Sequence, residues 1–228
     1  MTKEYAQMLK RMAGLLLCML LVVQSGCAAD VRERLAAGLG KESVNIAQLV
    51  RMAETELTPV KAAWLRGWQV LDVMCCCVSH PPRFYVALRD DGTTLRLTGK
   101  PDAFNQMIRD ARIVVDKAAL ATEIGAFYLD VTRSFRKVSY RINDLSGIHW
   151  LPQPKPADEQ RRAELEARYT GLIQPPTAEP SAAGWRVTAW MIYDRTLVRH
   201  RLAIAADGTV QDSPEVVETD MPLPYSGR

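Results

Sequence analysis

Histidine is scarce in this chain. Only His80, His149 and His200 occur in 228 residues, and histidine is the side chain whose ordinary pKa lies near neutrality. General-base chemistry at neutral pH therefore has few residues to rest on, and none of the three sits in a recognised motif. Gly-x-Ser-x-Gly elbows, Rossmann glycine fingerprints, Cys-x-x-Cys pairs and His-Glu-x-x-His helices are also missing, which removes the usual sequence grounds for a hydrolase, a dinucleotide enzyme or a zinc peptidase. Gly38-Leu39-Gly40-Lys41 lacks the spacing and the preceding strand of a phosphate loop. Accordingly no catalytic residue, no metal ligand and no cofactor is assigned. There is no block of five or six like charges to suggest nucleic acid as a partner.

Cysteine is almost as sparse, with five residues. Cys18 and Cys27 lie near the start, and Cys75, Cys76 and Cys77 are consecutive, which is no disulfide framework. Adjacent alpha carbons lie about 3.8 Å apart, short of the usual disulfide range of roughly 4.4–6.8 Å. A metal site would space its thiolates so that a tetrahedron could close. The surrounding run Val70 to Val78 reads as a buried strand in which cysteine serves as a small hydrophobe. A redox pair, or a soft-metal site completed by His80, is the functional alternative.

An apolar run long enough to span a bilayer is lacking too. Met12 to Val23 is uncharged for twelve residues, against about 20 needed to cross the hydrocarbon. Lys10-Arg11 precede it and Gln24-Ser25-Gly26-Cys27 follow. A basic start, a short apolar core and small residues before a processing point describe an export signal. The stretch Leu21-Val22-Val23-Gln24-Ser25-Gly26-Cys27 resembles the lipobox of bacterial lipoproteins, in which small residues precede a cysteine that is lipidated and becomes the new N-terminus. That resemblance implies a lipid attachment at Cys27: a diacylglyceryl thioether and usually an N-acyl chain. Two chains suffice for stable anchoring where one gives marginal binding. Enteric lipoproteins retained in the inner membrane carry Asp after the cysteine. Ala28 at that place implies the periplasmic face of the outer membrane. The competing reading is cleavage after Cys27-Ala28-Ala29, giving a soluble periplasmic protein that starts at Asp30.

Loss of residues 1–26 removes Lys3, Lys10, Arg11 and Glu4 from the 29 basic and 26 acidic residues, leaving a net charge of only +1. About 200 residues at 48% apolar content can bury a good core without staples. Six segments are expected: a signal peptide at 1–26, a tether at 27–42, an α+β region at 43–150, a Pro-rich linker with a helix at 151–184, antiparallel strands of the same domain at 185–219, and a tail at 220–228.

Ser43 can cap a helix whose stripe is Ile46, Val50, Ala53 and Leu57, ending near Thr58-Pro59. A strand begins around Trp68. The clearest local motif is a hairpin, Arg83 to Arg89 and Thr93 to Thr98, joined through Asp90-Asp91-Gly92. Phe104, Met107, Ile108, Ala111, Val114 and Val115 trace a helical face, as do Leu120, Ile124, Phe127, Tyr128 and Val131. Val138 to Ile142 alternates as a strand, Asp158 to Ile173 reads as a charged helix, and Gln174 to Gly184 reads as a loop. Strands follow at Trp185–Tyr193, Leu197–Ala205 and Val210–Val217. The pattern predicts an α+β fold, an antiparallel sheet with helices packed mainly on one face, with a weak echo between two halves.

The remaining residue patterns read first as structure. Asp90-Asp91 and Asp207-Gly208 are turn chemistry before they are calcium ligands. His200 falls on the Val198, Leu202, Ile204 face of its strand, as a hydrogen-bonded core histidine or a pocket base. Ser79-His80 has adjacent strand residues pointing to opposite faces, and His149-Trp150 is placed to pack on the Pro-rich segment. Trp185 and Trp190 have opposite strand parity, so Trp190 with Arg186 and Thr188 is a candidate contact surface. The expected function is a lipid-anchored envelope protein that binds another envelope protein without catalysis. Two alternatives stand beside it: a small envelope hydrolase or redox enzyme using His200 or the Cys75 to Cys77 cluster, and a carrier of a small ligand or lipid with a large dry cavity.

Overall fold

A computed structural model describes residues 30–76 and 82–224. The signal-like run, Cys27, Cys77, Ser79 and His80 lie outside the described residues. The chain adopts an α+β fold in which nine strands form two antiparallel sheets among the described residues. The first helix, α1, covers residues 30–40. Then come α2 (Val44–Arg51), β1 (Thr55–Val60), β2 (Trp68–Cys75), β3 (Arg83–Arg89), β4 (Thr94–Arg96), α3 (Pro101–Ala111) and α4 (Ala118–Thr132). The remainder is β5 (Ser139–Ile142), a 3-10 turn (Leu145–Gly147), α5 (Pro156–Tyr169), β6 (Thr177–Ser181), β7 (Gly184–Tyr193), β8 (Thr196–Ala205) and β9 (Val210–Glu218).

Sheet one is a meander in the order β1-β2-β3-β4. Its central strands are apolar on both sides, and the alternation sorts the side chains to two layers. Leu71, Val73, Phe84, Val86 and Leu88 meet Leu35, Ala36 and Leu39 of α1 and Ala47 and Val50 of α2. Trp68, Val70, Tyr85 and Ala87 face the opposite way, toward Phe104, Met107 and Ile108 of α3 and Ile124, Phe127 and Tyr128 of α4. The same central cluster continues into Val187, Ala189, Met191, Leu202, Ile204 and Val210 of sheet two. Sheet two runs β5-β7-β8-β9, with β6 also paired to β7. Its outer face carries Ile142, Trp190, Ile192 and Leu197 against Leu165, Tyr169 and Ile173 of α5 and its following turn. The layers therefore alternate: α1 and α2, sheet one, α3 and α4, sheet two, α5.

The segment expected as a tether is, from residue 30, a working helix of the body. Leu35 and Leu39 are fully buried, each worth about 2 kcal/mol in area removed from water. Arg32 pins this helix by donating to the carbonyls of Val50, Met52 and Thr55, and Arg34 by donating to those of Arg89 and Asp90. Ser43 caps α2 as expected, its Oγ accepting from Ile46 N at 3.4 Å. That helix stops at Arg51, however, and Leu57 pairs with Val73 across β1 and β2. Period and strand length both allowed the helical reading; pairing with an open sheet edge decides against it.

Three further expectations are corrected. The α3 face ends at Ala111, because Arg112 takes a left-handed conformation (φ 50°), and Val114 is left 72% exposed. Within the expected loop Gln174 to Gly184, residues Thr177–Ser181 form β6 against Thr188 to Gly184 of β7. The Pro-rich segment 151–184 is thus no spacer between bodies. It leaves the β7 edge after β5, docks α5 on the outer face and returns to the same edge as β6. The tail at 220–228 is packed over its described part, with Met221 and Leu223 buried in the α5 layer. Backbone bonds from Met221 to Arg195 and from Leu151 to Pro222 hold it there.

Prolines mark the longer sheet edges: Pro59 in β1, Pro180 in β6 and Pro214 in β9. A proline lacks the donor that a docking strand would need, which blunts each edge against pairing with other chains. β4 and β5, the other edge pieces, have only three and four residues.

α5 is held by more than apolar contact. Glu218, buried at the end of β9, accepts from Arg161 at 2.6 Å, from the Tyr169 hydroxyl at 2.9 Å and from Arg168. Burial by itself would raise its carboxyl pKa, but the bonds from Tyr169, Arg161 and Arg168 hold it below the ordinary 4.5. A depressed carboxyl stabilises the fold above its unfolded value and loses that contribution as pH falls through the folded one. Glu218→Ala is expected to cost about 2–3 kcal/mol in urea unfolding at neutral pH. The difference from wild type should shrink as pH falls below about 4.5, and a difference independent of pH would remove this role from Glu218.

Candidate functional site

An open groove of about 880 Å³ lies where α2, the start of β3, the β4–α3 connection and the α4–β5 turn meet. That volume is within the usual range for ligand pockets. α2 supplies Ile46 and Leu49, and Pro82, Arg83 and Phe84 open β3. Arg96 closes β4, Thr98, Gly99 and Lys100 come from the connection, and Ser134, Phe135 and Arg136 from the turn. The described lining thus holds four cations, two hydroxyls and a set of apolar side chains, and no carboxylate.

Local chemistry explains why these residues converge. Gly99 (φ 69°) turns the chain out of β4, and its N–H donates to Thr132 O at the end of α4, tying the two connections together. Thr98 Oγ1 accepts from Tyr85 N at 2.8 Å, which fixes the strand end beside β3. Phe135 is held between two guanidinium groups, Arg83 at 4.9 Å and Arg133 at 5.0 Å from its ring centroid, and packs on Tyr85 at 5.4 Å. Arg83 in turn bonds Asp72 through Nε at 3.0 Å. On the other side Glu42 Oε1 lies 2.8 Å from both Arg96 Nη2 and Lys100 Nζ. Arg136 has no ion-pair partner among the described residues. Two carboxylates therefore answer four cations, and the groove keeps a positive surplus.

The histidine expected on the inner face of β8 is a core residue. His200 is 3% exposed; its Nδ1 lies 2.9–3.0 Å from both oxygens of Asp212, and Nε2 lies 3.4 Å from the Tyr193 hydroxyl. The register places Ala189 opposite it and Asp212 opposite Leu202 on β9, so the trio spans three neighbouring strands under α4. Burial, reinforced by the charge of Asp212, pushes the Tyr193 hydroxyl up to about 12. Burial and then Asp212 do the same to Tyr128 on α4, also to about 12. Both ring nitrogens are engaged in the interior, so His200 satisfies a buried polar cluster.

No protein-family model, no curated protein and no solved structure matches this chain.

The other residues singled out in the sequence fall in separate places. Trp190 is 6% exposed, packed edge-on to Tyr169 of α5 at 6.1 Å and beneath Arg199 at 5.8 Å. With Thr188 half-buried and only Arg186 exposed, the three form no contact patch. Strand parity separated Trp185 from Trp190 correctly, but sheet two is covered on both faces, so parity does not imply exposure. Trp185 Nε1 donates to Val115 O at 3.2 Å on the inner side. His149 stacks on Tyr140 at 4.5 Å, and Arg162 of α5 stacks on Trp150 at 5.3 Å. The Asp91 and Asp207 carboxylates do turn work: Asp91 accepts from Thr93 N and Asp207 from Thr209 N. Cys75 is buried and disulfide-bonded, and Cys76 is free and exposed. The purely apolar reading of Cys75 therefore yields to a covalent one. No group of three metal-binding side chains occurs among the described residues.

The groove was missed in the sequence because its four cations come from three separated parts of the chain, and each looked like an ordinary solvated charge. Arginine at the first residue of a hairpin strand and just after an aromatic was the only signal available.

The buried tyrosines give a direct check of the inner cluster. A raised tyrosine pKa contributes stability below the unfolded value near 10 and loses it as pH climbs through the folded value near 12. Ultraviolet titration of the seven tyrosines should show a late class near pH 12 that includes Tyr128 and Tyr193. Tyr193→Phe should remove one member of that class; an unchanged late class would take Tyr193 out of the interior.

Proposed function

We propose that this chain is a lipid-anchored protein of the bacterial cell envelope that acts by non-catalytic binding through the cationic groove. The observation that carries the reading is the lining of that groove: cations and apolar side chains on a rigid junction of four segments, the composition of a binding surface. The enzyme alternative leans on His200, whose ring nitrogens are spent on Asp212 and Tyr193 under α4, or on the Cys75 to Cys77 cluster, in which Cys75 is already disulfide-bonded. The carrier alternative leans on an interior cavity, whereas Phe104, Met107, Ile124 and Phe127 pack between the two sheets.

Two further features support the anchored reading. The described helix α1 includes Asp30, three peptide units after Cys27, so covalent geometry keeps α1 within about 11 Å of an acylated cysteine. Such a body rides on the bilayer surface. The disulfide at Cys75 suits an oxidising compartment such as the periplasm. Among the described residues no helix is long and apolar enough to cross a membrane.

Intact-mass measurement on protein extracted with detergent from the bacterial membrane should show a chain beginning at Cys27 and carrying added acyl mass. Cys27→Ser should lose fatty-acid labelling. A chain starting at Asp30 without acyl mass, or continued labelling of the serine variant, would overturn the anchor.

A further inference from the structure

We infer that the groove binds a short, extended peptide segment carrying both acidic and apolar side chains, and that Glu42 occupies the position of one of the ligand's carboxylates. This rests on the binding role proposed above and names its ligand class. Charge comes first. Arg83, Arg96, Lys100 and Arg136 contribute to one lining, and among the described residues only Asp72 and Glu42 form ion pairs with them. A complementary ligand brings negative charge.

The second consideration is what lies between the charges. Ile46, Leu49, Phe84 and Phe135 contribute to the same lining, so an isolated inorganic anion would satisfy the cations and leave the apolar surface wet. An anionic lipid would satisfy the headgroup contacts, but its acyl chains need an enclosed apolar slot, and this groove is open. An extended peptide meets both demands, because successive side chains alternate in direction and can offer acid to the cations and hydrocarbon to the floor.

The third is the geometry of Glu42. Its Oε1 reaches Arg96 Nη2 and Lys100 Nζ at 2.8 Å each. Only Lys100 makes a directed hydrogen bond with it, while the Arg96 Nε makes none. A guanidinium is built to grip a carboxylate through two parallel bonds. Glu42 is exposed on the turn between α1 and α2, satisfies the pair partially, and can be displaced by a better-placed carboxylate. It therefore competes with the ligand.

This competition gives the test its direction. The full-length protein is purified in a non-ionic detergent and titrated into a fluorescein-labelled peptide of alternating glutamate and leucine, with alternating lysine and leucine as the control. Wild type should bind the acidic peptide, and the binding should weaken with added salt. Glu42→Gln should tighten it about threefold, since an internal competitor of surface ion-pair strength is gone. Arg136→Glu, at an exposed position, should weaken it roughly tenfold, with Lys100→Gln as a second weakening variant and thermal unfolding confirming that each variant is folded. A purely structural Glu42 would instead lower stability without raising affinity. The inference is overturned if the acidic peptide fails to bind or binds no better than the basic one. It is equally overturned if Glu42→Gln weakens binding, or if inorganic phosphate or short-chain phosphatidylglycerol displaces the labelled peptide more effectively than unlabelled peptide does. The mass of Cys27 decides the anchor separately, so either result can fail while the other stands.

Discussion

The structure depends on α4, whose buried residues occupy more than half of its circumference. A helix with a narrow apolar stripe can serve one sheet, but Ala121, Ile124, Phe127, Tyr128, Leu129 and Val131 confine the polar side to a strip of Thr122, Glu123 and Asp130, and so broad an apolar surface needs cover from more than one direction. Two sheets supply the cover. Gly125 makes the close approach on one side: a Cβ there would stand 3.1 Å from Leu202 Cδ1 and Val187 Cγ1. On the other side Phe127 and Tyr128 meet Phe104 of α3 at 6.3 and 5.2 Å. Remove that central layer and neither sheet has a partner for its inner face.

From that constraint the rest of the layering follows. With their inner faces committed to α3 and α4, both sheets still carry apolar outer faces. Sheet one takes α1 and α2, and sheet two takes α5 and the chain after β9. These outer layers are secured by polar clamps at their rims, where water can still compete: Arg32 and Arg34 on backbone carbonyls for α1, and Glu218 with its two arginines for α5. Asn105 performs the same service between α3 and the β9 edge, exchanging two bonds with the backbone of Val210. The proline-bearing edges then blunt the sheets against further strands. The groove lies where α2, β3, the β4–α3 connection and the α4–β5 turn meet, beside the central layer.

Much of the fold was legible locally. The hairpin around Asp90-Asp91-Gly92, the α4 spacing and the three long final strands all follow from period and turn chemistry, and they appear within a residue or two of where the pattern puts them. Legibility failed where a segment's fate depended on a distant partner. Leu57 and Pro59 became an edge strand because β2 offered an unpaired edge, and Thr177 to Ser181 did so because β5 leaves half of β7 unpaired. The packing of the tail was likewise hidden, because its contacts, Arg195 and the α5 layer, are remote in sequence.

By itself the sequence determined the α+β class, most of the element boundaries, the interior place of His200 and the export-like run ending in Cys27, since each is written in short-range spacing of residue types. Only the tertiary structure decided that there are two sheets around one helical layer, that Trp190 is covered, that Cys75 is bonded, and that four scattered cations share a groove. Those outcomes depend on which faces meet, and local periodicity specifies that a face is apolar without specifying what will cover it.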